Sequence, residues 1–191
     1  MNSKFYILLL FFAILFSSCA GVGYNSSKLE TLHSIINRET QKTSIYDGLQ
    51  SRAFFKVVYR SMELRRSYVD TITEMESLTE SEKSVLLEKE IEDERKYFEF
   101  LVILSTTEFK ANDLNVKKSL WRVFLEDGHG YRNYPIEIKE IKADQKIKIL
   151  YPGISRFAKF YSIRFEKGEK REIKGMNLVF SSALGKAVFK Y

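Results

Sequence analysis

The sequence predicts an α+β fold: a mostly antiparallel β-sandwich of immunoglobulin-like kind, with an N-terminal helix and an inserted helical hairpin. Three observations point there. Apolar residues recur at helical intervals before residue 96 and mostly alternate after it. About seven short strand-like segments follow residue 96 at sandwich spacing, separated by turn residues. Aromatic side chains are abundant, 15 Phe and 11 Tyr against 2 Pro and 9 Gly, a composition that favours a packed core over disorder.

The helical part comes first. Ser27-Lys28-Leu29-Glu30 has capping-box spacing, and Leu29, Leu32 and Ile36 recur with Ile35 beside them, so a helix is predicted over 28–41. Tyr46-Asp47-Gly48 reads as a turn. Residues 53–59 are dense in β-branched and aromatic side chains and read as the first sandwich strand, with a helical continuation as the alternative. Leu64, Tyr68, Ile72 and Met75 trace a helical stripe through 62–78. Thr79-Glu80-Ser81-Glu82 is a second capping box, opening a helix over 80–96 that turns Val85, Leu87 and Ile91 inward. These two helices make the hairpin.

From residue 97 the period changes. Residues 97–104 are nearly continuous apolar, as in a strand covered on both faces. Residues 105–116 read as a polar loop. Residues 119–126 alternate, with Trp121, Val123 and Leu125 on one face, and Asp127-Gly128-His129-Gly130 is turn chemistry. Ile136-Glu137-Ile138-Lys139 alternates again after Pro135. Residues 146–151 read as a short strand stopped by Pro152-Gly153. Tyr161, Ile163 and Phe165, then Met176, Leu178 and Phe180, then residues 185–191 complete the strands, with a charged turn over 166–175.

Ahead of this single globular unit (28–191) stands a different kind of segment. Asn2-Ser3-Lys4 leads into an unbroken apolar run over 5–16 and then Ser17-Ser18-Cys19-Ala20. That is the pattern of an export signal, here 1–18. Twelve helical residues rise only about 18 Å, short of a roughly 30 Å hydrocarbon core. The end of the run resembles a lipobox, with Ser17 and Ser18 as its small residues and Phe16 where leucine is usual. The resemblance implies cleavage before Cys19, diacylglyceryl modification of its sulfur, and a lipidated tether over 19–27. Plain secretion, with Ser18-Cys19-Ala20 as the cleavage site, is the alternative. Cys19 is the chain's one cysteine, so lipidation accounts for an otherwise odd thiol in an exported protein. More broadly, Cys19, the apolar strand at 97–104, Asn112-Asp113-Leu114 and Trp121-Arg122 together resemble small uncharacterised bacterial lipoproteins. That resemblance implies localisation and fold, and no activity.

Chemistry is sparse. His33 and His129 are the two histidines, so a metal cluster lacks its ligands and a Ser–His–Asp triad could use only one of these two. The expectation is no cofactor, no metal and no catalytic residues. Glu88, Glu90, Glu92, Asp93 and Glu94 read as the solvated face of a helix. Residues 70–99 carry a balance of −7 and residues 139–191 one of +8, within a formal net charge of +6. An exported, mildly basic protein meets little nucleic acid, and its expected partners are the lipid membrane through Cys19, another envelope protein or an anionic envelope polymer. Ala20, rather than an aspartate, after the lipidated cysteine favours the periplasmic side of the outer membrane over the inner membrane. The function expected is a non-enzymatic envelope lipoprotein presenting a binding or scaffolding surface. The alternatives are an accessory subunit of an export, transport or surface-assembly complex, and a hydrolase using His129.

Overall fold

A computed structural model describes residues 26–168 and 172–191 of the chain; the signal segment and Cys19 lie outside the described residues. The elements are α1 (Ser27–Glu39), β1 (Thr40–Asp47), β2 (Gln50–Tyr59), α2 (Met62–Glu76), α3 (Glu80–Lys96), β3 (Tyr97–Thr106), β4 (Arg122–Glu126), β5 (Arg132–Asn133), β6 (Glu137–Ile141), α4 (Gln145–Leu150), β7 (Lys159–Glu166), β8 (Asn177–Ser182) and β9 (Gly185–Lys190). A five-stranded sheet in the order β1-β2-β3-β7-β6 faces a four-stranded sheet in the order β5-β4-β8-β9, and every pairing is antiparallel. The α+β sandwich, the N-terminal helix and the hairpin inserted between β2 and β3 are all present.

Two cores hold the three layers together, as expected where a sheet is covered on both faces. Between the sheets lie Phe55, Phe100, Tyr161, Phe165, Phe180 and Phe189, all buried. The ring of Phe55 stands 4.8 Å from that of Phe180 and meets Trp121 nearly edge-on at 5.2 Å. Between the five-stranded sheet and the helices lie Leu32, Leu64, Ile72, Leu101, Leu150 and Phe160. β3 shows why its sequence is almost uniformly apolar. Phe98, Phe100, Val102 and Leu104 enter the first core, while Leu101 and Ile103 enter the second.

Loop polarity is also consumed locally. Asn112 is buried, donates to the Leu104 carbonyl (2.8 Å) and accepts from the Tyr161 hydroxyl (3.0 Å). Asp113 accepts from the Ser119 hydroxyl and the Leu120 amide, and the Trp121 ring N–H donates to the Ala111 carbonyl (2.6 Å). The Asn-Asp-Leu and Trp-Arg signatures therefore close one loop over the core.

The structure corrects several local readings. Ser26, not Ser27, caps α1, accepting from the Lys28 amide. α1 ends at Glu39, and the Thr40 hydroxyl donates to the Ile36 carbonyl where β1 begins. β1 has no counterpart among the expected strands because Ile45 is its one buried residue, leaving no apolar alternation to read. Residues 53–59 are strand, inside β2. Residues 146–151, expected as strand, are mostly the helix α4: Asp144 caps it by accepting from the Ile147 amide, and Leu150 is its only buried side chain. The Lys-Ile-Lys-Ile alternation there suits either period over so short a stretch. α2 stops at Glu76 because Ser77 turns left-handed at φ 52°, its N–H reaching back to the Glu74 and Thr73 carbonyls. The Thr79–Glu82 capping box is formed as expected.

Candidate functional site

The largest concentration of charge lies under the hairpin. Arg65 on α2 is fully buried, and Glu90 on α3 and Glu99 on β3 are nearly so. Arg65 donates to Glu90 at 2.6 Å, to Glu99 at 2.7 Å and to the Arg60 carbonyl at 3.1 Å. Arg60, at the end of β2, donates to Glu90 (2.8 Å) and Glu99 (3.1 Å), and its guanidinium lies over the Tyr68 ring. From β7, Ser162 donates to Glu99 at 2.6 Å, and Arg164 joins Glu99 (3.3 Å) to Asp93 (3.1 Å). Lys167 donates to Glu94 at 2.5 Å across the Phe98 ring.

This cluster fixes how α3 sits. Its inward residues, Lys83, Leu86, Glu90, Asp93 and Glu94, recur at three- and four-residue steps, so they share one helix face. Lys83 pairs with Asp70 at 2.8 Å, and the carboxylates take the strand and helix cations. Three of the acids expected on a solvated face are therefore turned to the sheet, and Val85, expected inward, is 65% exposed. A buried guanidinium without a carboxylate costs several kcal/mol, far more than exposing one valine, so charge decides the rotation.

The electrostatics follow from the geometry. Burial alone would push the Glu99 carboxyl up. The Arg60 guanidinium, the Ser162 hydroxyl, Arg65 and Arg164 overcome that and hold it at about 2. A carboxylate so fixed stays ionised at neutral pH and offers no proton. Within the cluster the Arg60 Nε is buried without a hydrogen-bond partner. The arrangement ties hairpin to sheet and has the character of a structural clamp rather than a reaction centre.

The histidines are elsewhere. His33 Nε2 lies 2.7 Å from the Ile149 carbonyl, joining α1 to α4. Asp127 accepts from the backbone amides of His129 (3.0 Å) and Tyr131 (2.9 Å), so its carboxylate shapes the turn that carries His129. Among the described residues no three His, Cys, Asp or Glu side chains gather to hold a metal, and no helix is long and apolar enough to cross a membrane.

Among the described residues the surface includes two wide concavities. Between α2 and α3 a groove of about 460 Å³ is lined by Tyr68, Ile72, Leu78, Val85 and Leu86, with the Lys146–Glu76 pair at its rim. At one end of the sandwich a second, of about 360 Å³, lies among Phe98, Tyr131, Asn133, Lys167 and Met176. The sequence marked neither: the second is assembled from residues distant in the chain, and the first depends on how the two hairpin helices are rotated.

No protein-family model matches the chain, and no curated protein matches it. Among solved structures it is similar to a protein of unknown function from Burkholderia pseudomallei, at 12% identity and a TM-score of 0.45, over 85% of this chain and 84% of that one.

Proposed function

We propose that the protein is a lipid-anchored lipoprotein of the bacterial cell envelope, non-enzymatic, presenting a binding or scaffolding surface to another envelope component. The observation that carries this is Cys19, the single cysteine, set directly after an apolar export run and two serines. A diacylglyceryl group on that sulfur, with or without a third acyl chain on the α-amino group, holds a protein on a membrane, where one chain binds only reversibly. The periplasmic side of the outer membrane is the proposed address.

The geometry is compatible with such an anchor. The chain enters the fold at α1, where Ser26 is buried, the Thr71 hydroxyl donates to the Lys28 carbonyl and Lys28 pairs with Glu74. The tether therefore joins the helical layer, beside the C-terminal half of α2. Cys19→Ser tests the reading. The wild-type chain is expected in the membrane fraction and to resist high salt and alkaline carbonate, whereas the variant leaves that fraction almost completely. A variant that stays there argues against acylation.

The groove between α2 and α3 favours a second reading, an accessory subunit of an export, transport or surface-assembly complex that docks through the hairpin. Crosslinking in native membranes separates the two. In the second reading one defined complex forms and Val85→Asp abolishes it.

A further inference from the structure

β1 and β2 set Lys42 directly opposite Lys56, and both line the helix-facing side of the five-stranded sheet. Cross-strand partners hold their Cβ atoms about 5 Å apart, and like charges so placed destabilise a sheet. Among the described residues neither lysine forms an ion pair. Lysines on an edge strand block unwanted pairing, which accounts for Lys42 on β1 but not for Lys56 on the interior strand β2.

The two lysines stand at a pit of about 50 Å³ with Asn37 and Thr40 on its wall and Val58, Leu101 and Phe160 beneath. Lys56 is held in place: its ammonium lies 3.4 Å from the Gly153 carbonyl and 5.9 Å from the Phe54 ring centroid. Gly153 has φ +90°, and a Cβ there would come within 2.6 Å of the Lys56 Nζ, so glycine leaves the ammonium its space.

We infer that this pit is an anion site that takes one phosphate group between Lys42 and Lys56. A phosphate brings up to two charges and several acceptor oxygens, which suits two uncompensated ammoniums better than a single carboxylate does. The pit, at about 50 Å³, is far too small for an acyl chain, so a phosphate caps its mouth between the two ammoniums rather than filling the space beneath. Two sources supply that chemistry, a lipid phosphate and free phosphate. The lipid is within reach: α1 has 13 residues and rises about 20 Å between its start and β1, and residues 20–25 span up to about 20 Å when extended. This inference deepens the envelope reading and rests on it only for the lipid source; binding at the pit does not involve Cys19.

Calorimetry on the full chain in neutral detergent tests it, with dihexanoyl phosphatidic acid, dihexanoylglycerol and inorganic phosphate as probes. Phosphatidic acid is expected to bind saturably at one site and the phosphate-free glyceride not at all. Lys42→Ala and Lys56→Ala each weaken binding about tenfold or more, the double variant removes it, and Lys186→Ala on β9 leaves it unchanged. Cooperative thermal melts with midpoints at or above that of the wild type show that the fold of the variants is intact, since removing either of two opposed like charges relieves the pair. Equal binding of inorganic phosphate assigns the site to free phosphate, and binding of the lipid alone assigns it to a head group; either supports the site. Absence of saturable binding by both, equal binding of the glyceride, or undiminished binding by the double variant overturns it.

Discussion

Arg65→Ala is expected to destabilise the protein by about 3–5 kcal/mol, the usual cost of removing one partner from a buried ion cluster. Arg65 has no exposed surface, and its guanidinium is the direct link from α2 to both Glu90 and Glu99. Without it Glu90 is left to Arg60 alone, whose own Nε already lacks a partner, and Glu99 keeps Arg60, Ser162 and Arg164 but loses its shortest arginine contact. For a domain of this size the loss lowers the melting midpoint by roughly 6–20 °C. The double variant Arg65→Leu with Glu90→Leu recovers part of it, because removing a pair together avoids stranding a charge. The exposed Arg52–Asp47 pair provides the contrast, and Arg52→Ala leaves the midpoint unmoved. Urea denaturation of the variants checks all three, and an Arg65→Ala midpoint equal to wild type would show that the clamp contributes nothing.

The second large effect is acid sensitivity traced to Glu99. Its carboxyl titrates at about 2 in the fold, against 4.5 for an ordinary glutamate. The unfolded chain therefore binds this proton more readily, and protonation favours unfolding. The contribution is complete above about pH 4.5, declines as the pH falls, and is gone near pH 2, amounting to roughly 3 kcal/mol. The groups facing Glu99 are Arg60 just after β2, Arg65 from α2, and Ser162 and Arg164 from β7, with Glu90 from α3 sharing the arginines Arg60 and Arg65. Glu99→Gln lowers stability at neutral pH and flattens its pH dependence between 4.5 and 2. Denaturant unfolding across that range reads the slope, and identical slopes for both proteins would remove Glu99 as its source.

Much of the architecture was legible because it rests on simple periods. The first helix of the hairpin, the doubly covered β3 and the alternating β7 to β9 each carry a readable apolar rhythm, whereas the buried face of α3 is set by charge and was not read from its apolar residues. β1 was not legible, since its surroundings ask for only one apolar side chain. α4 was misread because six residues are too few for period two and period three-to-four to differ. The ion cluster was hidden for another reason. Glu90, Asp93 and Glu94 look like any solvated acidic run until their arginine partners, far off in sequence, are brought beneath them. One signal was available: Glu99 interrupts an otherwise apolar run, a charge where a core strand has little tolerance for it, whereas Arg164 takes an ordinary polar place in its alternation. The Lys42–Lys56 pit was invisible for want of β1, without which the two lysines have no common face.

Whether the protein resides in the envelope turns on the state of one sulfur. Mass analysis of the amino-terminal peptide recovered from native membranes tests it most directly. The prediction is a chain that begins at Cys19, with residues 1–18 removed and the cysteine carrying a diacylglyceryl group. An unmodified cysteine, or a mature chain that begins beyond it, would contradict the account.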